Sequence, residues 1–153
     1  YGICAKITLA LAAIGPEAVP ALTSALASVS YDRLWPILQA LGEIGPAARQ
    51  AVPVLMRILR DQIPHDFLGV RRGAAEILGK IGPEAMVAVP ALIATLRDAN
   101  WTVRFAAAAA LGEIGHDAPD AASALNGALN DDNHHVRAAA AQALAKVQSK
   151  GHQ

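Results

Sequence analysis

The sequence predicts an all-α fold, a right-handed α-solenoid of about four and a half stacked antiparallel helix pairs. Three observations carry that prediction. Leu11, Leu41, Leu78, Leu111 and Leu144 recur 30, 37, 33 and 33 residues apart, and Leu22, Leu55, Leu92 and Leu125 recur 33, 37 and 33 apart. A period of that size marks a unit that cannot bury its apolar face alone and stacks on its neighbours. Within each unit the apolar residues fall at helical spacing, as with Val103, Ala107, Ala110, Leu111 and Ile114. The pairs Ile44-Gly45, Ile81-Gly82 and Ile114-Gly115 punctuate the units.

The elements follow in order. Residues 2–14 form one helix, ended by Gly15-Pro16, and residues 19–29 form the next. A helix over 32–44 ends at Gly45-Pro46, with Pro36 in its first turn, where a missing N–H costs little. Residues 51–59 are closed by Arg60-Asp61, and residues 70–81 by Gly82-Pro83. Residues 88–97 carry Pro90 in their first turn. Residues 101–114, 120–129 and 134–147 complete the array, and the tail from Ser149 to Gln153 frays. Each stop glycine follows the last apolar residue, a position that favours a left-handed residue without a Cβ penalty. The first inter-pair loop, Gly15 to Val19, is about three residues short, and the turn from Asp61 to Gly69 carries about four extra. In solenoids such an insertion is more often drift than a contact site.

The chain has 153 residues, which predicts one domain over 1–148, and 54% of them are hydrophobic, ample for a core. Lys+Arg and Asp+Glu both number 13, so no general attraction draws it to nucleic acid or an anionic membrane. One cysteine, Cys4, excludes an internal disulfide framework and a Cys-based zinc cluster. Charges or Gly-Pro pairs interrupt every apolar run before about 18 residues, the length of a spanning helix. No signal peptide is visible. The chain starts at Tyr1 inside a helical pattern and without Met, which is expected of a piece of a larger chain.

The recurring pattern reads Ala-Val-Pro-x-Leu, an Asp, a turn, Val-Arg, Ala-Ala, then Leu-Gly-x-Ile-Gly. It resembles the short HEAT-like repeat, the kind also found in phycobilin lyases, over nearly the whole chain. The resemblance implies that the Val-Pro-x-Leu helices lie on the convex side and the Val-Arg helices line the concave side. It is specific for fold and weak for function, because the repeat serves many roles. The departures are Cys4 and Leu34 where Arg is expected, Ser28 where Asp is expected, and Lys146-Val147 without a Gly stop.

Arg71, Arg104 and Arg137 share one repeat position, and Asp61, Asp98 and Asp131 another. They are expected to form a structural ladder tying neighbouring turns together; a ligand-binding arginine row is the alternative. No catalytic constellation is present: there is no HExxH, no GxSxG and no phosphate-cradling glycine loop. The glycines read mostly as helix stops. His134 and His135 are adjacent, so their side chains diverge by about 100° and do not easily share a metal ion. Cys4 reads as a small buried hydrophobe rather than a nucleophile. No catalytic residue, metal or cofactor is therefore expected.

The aromatics carry the functional signal. Two residues before the Val-Arg valine position the column reads Tyr1, Tyr31, Leu68, Trp101 and His134; two after it reads Ala5, Trp35, Arg72, Phe105 and Ala138. The next turn gives Leu9, Gln39, Glu76, Ala109 and Gln142, and the last gives Ala13, Glu43, Lys80, Glu113 and Lys146. Steps of four keep these residues on one face of each helix, away from the apolar stripe. Of six Phe, Trp and Tyr residues, five fall in the first two columns, and Phe67 is one residue off. Either the rings fill space between repeats or they line an exposed groove.

The groove is the reading adopted, because Tyr and Trp make binding anchors at little entropy cost. The expected site is Tyr31, Trp35, Gln39, Leu68, Arg72, Glu76, Trp101, Phe105, Glu113 and His134, with Lys80 helping to set orientation. The expected function is non-catalytic recognition of a protein or peptide, without nucleic acid or membrane. The first rival, permitted by the resemblance, is a lyase-type protein that seats a tetrapyrrole in the same groove. A DNA-binding repair array is disfavoured by zero net charge, and an engineered consensus array by the irregular spacings of 30 and 37.

Overall fold

The computed structural model describes residues 2–61 and 67–150. The expectations for Tyr1, for the inserted turn at 62–66 and for 151–153, and those for the side chains of Cys4 and Leu68, lie outside the described residues. The described helices are α1 (Gly2–Ile14), α2 (Val19–Ser28), α3 (Leu34–Ile44), α4 (Val52–Arg60), α5 (Leu68–Ile81), α6 (Val89–Thr95), α7 (Trp101–Ile114), α8 (Pro119–Ala128) and α9 (His134–Lys150). No strand occurs among the described residues. The expected boundaries hold to within a few residues, and α9 extends through Lys150.

The helices form two layers. α1, α3, α5, α7 and α9 pack side by side in one, and α2, α4, α6 and α8 in the other. The odd-numbered layer is the more closely packed, so the stack curves towards it and that layer is the concave one. Leu41, Leu55, Leu78, Leu92, Leu111 and Leu125, six of the leucines that set the period, are completely buried between the layers. Burying such side chains stabilises by about 1.5–3 kcal/mol each, so the repeat period in the sequence is the period of the core.

Backbone stops end the inner helices as expected at three sites. Gly15, Gly45 and Gly82 have φ of +74°, +67° and +72°. At Gly45 and Gly82 ψ is −133° and −143°, which lies outside the left-handed helical region and in one that only glycine tolerates. The following proline explains it, because a residue before proline is pushed out of helical conformation. Gly115 departs from expectation. Its φ is −83° and ψ is 15°, so no left-handed conformation is required there. Its successor is His116 rather than proline, and the constraint is absent. Gly115 is needed for space instead: a Cβ would lie 2.7 Å from that of Ala121.

Only three of the described glycines take a positive φ, so the expectation that the glycines are mostly helix stops does not hold. Gly42, Gly79 and Gly112 occupy one column in the last turn of inner helices. A Cβ on Gly79 would meet the Cα of Ala110 at 3.1 Å, and one on Gly112 the Cα of Ala143 at 2.7 Å. The backbones of neighbouring inner helices approach at Gly79 and Gly112, whereas Gly42 faces the side chains of Ile77 and Lys80.

The Asp–Arg ladder is present. Arg71 Nη2 lies 3.1 Å from Asp98 Oδ2. Arg104 grips Asp131 through Nε and Nη2, both at 2.8 Å, and donates through Nη1 to the Asp98 carbonyl at 3.0 Å. Arg104 thus joins its own turn to the turn of the next repeat, and Arg71 ties α5 to the turn that follows α6. Arg137 donates to the carbonyls of Asp131 and Asp132 at 2.8 and 3.0 Å. Where the sequence departs from the pattern, Leu34 takes the arginine position and is buried in the core.

Two stretches, Thr8–Ser28 and Gly69–Thr95, are long and apolar enough to cross a membrane by length and composition. Gly15-Pro16 and Gly82-Pro83 break each into two α-helices, so the expectation that Gly-Pro pairs interrupt the apolar runs holds in the backbone, although hydropathy alone passes both stretches.

Candidate functional site

The inner face carries the residue columns in register. α3 presents Tyr31 (just before its start), Trp35, Gln39 and Glu43; α5 presents Arg72, Glu76 and Lys80; α7 presents Trp101, Phe105, Ala109 and Glu113. Trp35, Trp101 and Phe105 are 37%, 40% and 39% exposed; among the described large hydrophobic residues only Leu9, Ile14 and Val87 are also exposed. The two indoles are therefore more than half covered, less open than a free groove anchor would be. Trp35 lies over α5 at Gly73, where a Cβ would meet the indole Cζ3 at 3.0 Å. Trp101 stacks on His135 with ring centroids 5.2 Å apart and 20° between planes.

Two crevices run between the inner helices. The first, of about 150 Å³, lies between α3 and α5 and is lined by Trp35, Leu38, Gln39, Glu43, Gly73, Glu76 and Lys80 among others. The second, of about 470 Å³, lies between α5 and α7, with Phe105 and Glu113 as walls and Gly79, Ala106, Ala109 and Ala110 as floor. Glu76 and Lys80 line both, so the two crevices adjoin along α5 and together make up the groove. Of the floor residues, Ala109 belongs to the sequence columns, whereas Gly79 does not. The signal for Gly79 was available, because glycine inside a helix costs about 1 kcal/mol and calls for a packing reason.

The groove is aromatic at one end and charged at the other. Arg72 pairs with Glu76 at 3.2 Å within α5. Glu113 pairs with Lys146 of α9. These pairs are about half exposed and contribute at most about 1 kcal/mol each. Of the expected site residues, Trp35, Gln39, Glu76, Phe105 and Glu113 come together in the groove, and Arg72 borders it. Tyr31 does not join them. It is half-buried, with its ring 6.0 Å from that of Phe67, and fills space at the edge. Trp101 lies outside both crevices, in a small hollow bounded also by Arg104 and Asp132, and His134 lines neither crevice.

The histidine geometry also departs from expectation. The rings of His134 and His135 do not diverge; their centroids are 3.9 Å apart. Rotation about the side-chain bonds has offset the 100° between the backbone positions. Among the described residues no group of three or more His, Cys, Asp or Glu could hold a metal ion.

A larger depression, of about 630 Å³, lies on the outer layer between α6 and α8, lined by Met86, Val89, Pro90, Ile93, Ala118 and Asp120 among others. Volume alone favours it. A binding site, however, needs polar groups converging on an apolar surface. The outer depression is mainly aliphatic, whereas the inner groove combines two aromatic walls with four charged side chains.

The comparisons agree with this architecture. A family profile described as HEAT repeats matches residues 65–145. No curated protein sequence matches the chain. Among solved structures, the complex of CpcE and CpcF of phycocyanin lyase from Nostoc sp. PCC7120 is similar, with TM-score 0.73 and 26% identity over 89% of this chain and 85% of that one. An engineered protein is similar with TM-score 0.70 and 25% identity, over 94% of this chain and 72% of that one.

Proposed function

The chain belongs to the HEAT repeat family, and on that premise we propose that it is a non-catalytic scaffold that binds a protein or peptide in the groove across α3, α5 and α7. One observation carries the reading. Trp35 and Phe105 keep more than a third of their surface exposed while walling two crevices that share Glu76 and Lys80. Large rings beside oriented charges act as anchors and directors of a bound chain. A preformed groove also lowers the ordering entropy that binding costs. The partner complex formed by the Nostoc lyase subunits supports a protein ligand. In this reading no nucleic acid or membrane is bound, and a gel shift at low ionic strength gives no complex.

The test is selection of displayed peptides on the wild-type protein and on Trp35→Ala/Phe105→Ala. Peptides enriched on the wild type should lose binding to the variant. Equal binding to both, with the variant folded, would move the site elsewhere.

A second reading is favoured by the likeness to the phycocyanin lyase complex over 89% of the chain. In it, the same groove seats a tetrapyrrole. Mixing the protein with a bilin should then shift the pigment's visible absorbance, and an unchanged spectrum would leave the peptide reading alone.

A further inference from the structure

We propose that Arg137 and the face of α9 turned away from α7 form an end-on docking surface for a helix pair of another chain, one that carries a carboxylate in its inter-helix turn. This surface is separate from the groove and does not depend on it. Arg137 makes half of a rung. At Arg104 the guanidinium is used twice. Its Nη1 donates to the carbonyls of Asp98 and Ala99 in its own turn, and its Nε and Nη2 donate to the Asp131 carboxylate of the next turn. Arg137 repeats the first half, with Nη1 donating to the carbonyls of Asp131 and Asp132. No carboxylate pairs with it among the described residues. Its own turn thus holds the fork in place, and the two donors left over are those that hold Asp131 in the preceding repeat. A guanidinium edge of that kind matches a carboxylate.

The helix around Arg137 repeats the face that α9 itself covers. Ala108 and Gly112 lie four apart on the side of α7 that meets α9, and both are buried. At the matching positions of α9, Ala141 and Ala145 are exposed, and Leu144 is half-buried where Leu111 is completely buried. Ala145 has a Cβ where Gly112 has none. A helix that covers it closely therefore needs glycine where α9 brings Ala143 against Gly112.

The repeat identifies the occupant. α1, α3, α5 and α7 end at Ile14, Ile44, Ile81 and Ile114, and the chain turns back there towards the next outer helix. α9 runs past the matching residue, Val147, to Lys150, with Gln148 in place of the stop glycine. The turn that would lay the next outer helix in register is absent there. A second copy stacked end to end also lacks the needed group, because its first described pair, α2 and α3, has Ser28 at the place of the turn aspartate. The fitting partner is a different chain, with short antiparallel helices, an acidic turn between them and glycine in the last turn of the second.

The probe is a peptide of sequence 84–116, which spans α6, the Asp98 turn and α7, with Ala110→Gly to admit Ala145. It is titrated against the full chain by calorimetry. It is also tethered behind Gln153 by a Gly/Ser linker, which raises its effective concentration, and docking is then read by hydrogen exchange of α9. The α9 amides should gain about tenfold in protection. Asp98→Asn in the probe should weaken binding about tenfold, and Arg137→Gln in the protein by the same factor. The two changes together should do no more than either alone. Arg137→Gln keeps a donor for the turn carbonyls, and it should leave peptides selected on the groove binding as before. Absence of docking in both formats, or docking indifferent to Arg137, overturns the proposal. Self-association in sedimentation that Arg137→Gln abolishes would give this end to a second copy and overturn the assigned partner.

Discussion

At Gly112 a single methyl group decides between two opposing effects. Alanine would gain about 1 kcal/mol of helix propensity. Its Cβ would stand 2.7 Å from the Cα of Ala143, and overpacking of that kind costs about 1–3 kcal/mol. Gly112→Val gains less propensity and clashes more, so it should destabilise by about 2 kcal/mol or more in thermal or denaturant unfolding. Gly127 in α8 supplies the control, because a Cβ there meets nothing within 4 Å. Gly127→Ala should be neutral or stabilising by up to about 1 kcal/mol. Equal effects at the two sites would refute the close-approach argument. Trp35 belongs to the same scale. With 37% of its surface exposed and its ring against Gly73, Trp35→Ala should cost about 1–2 kcal/mol, below the 3–5 of a core residue. A cost in the core range, with blue-shifted emission that resists acrylamide, would make the ring core filler.

Between elements, the Arg104–Asp131 rung joins the α6–α7 turn to the α8–α9 turn. The side chains are 12% and 10% exposed. Asp131 also accepts from the Asn133 N–H at 2.9 Å, and Asn133 Oδ1 in turn accepts from the N–H of His135 at the start of α9. Arg104→Ala therefore strands a mostly buried carboxylate and should cost about 2–3 kcal/mol, while leaving peptide affinity unchanged once folding is accounted for. The hydrogen bond from Arg104 is the chief reason that the Asp131 carboxyl is lowered from 3.8 to about 2. A depressed folded pKa stabilises above the unfolded value and loses that contribution as pH falls through the folded one. The stability gap between wild type and Arg104→Ala should be full at pH 5 and shrink between about pH 4 and pH 2. A gap independent of pH over that range would assign the cost of the mutation to packing alone.

Across the whole molecule, stability is distributed unevenly because a solenoid's repeats contact only their neighbours. The central and C-terminal repeats have completed rungs, and Ile81 and Ile114 are completely buried. At the other end, Ile14 is 56% exposed and Leu9 67%, and Leu34 stands where the next rung's arginine would be. Native-state hydrogen exchange should therefore show the least protection in α1 and α2 and the most in α5 and α7. Uniform protection would mean that the array opens as one cooperative unit. The groove spans α3 to α7, so its aromatic walls rest on unequal support. Destabilising variants should loosen the Trp35 wall before the Phe105 wall.

The sequence by itself determined the helices, their order and the repeat. Those follow from spacing, and a leucine every 33 residues or so can be counted without coordinates. It also placed the ladder, because Arg and Asp recur at fixed repeat positions. What only the tertiary structure decided depends on contacts between repeats. Gly115 was legible as a stop but not as a close contact, because Ala121 comes near only when α8 packs back. Tyr31 and Trp35 looked alike in the columns, yet Phe67 covers one while the other walls a crevice. The crevices exist because Gly73 and Gly79 carry no side chains where the neighbouring helices meet. A column of aromatics marks a face; the depth of that face, and which rings remain open on it, is set by what the next helix brings against it.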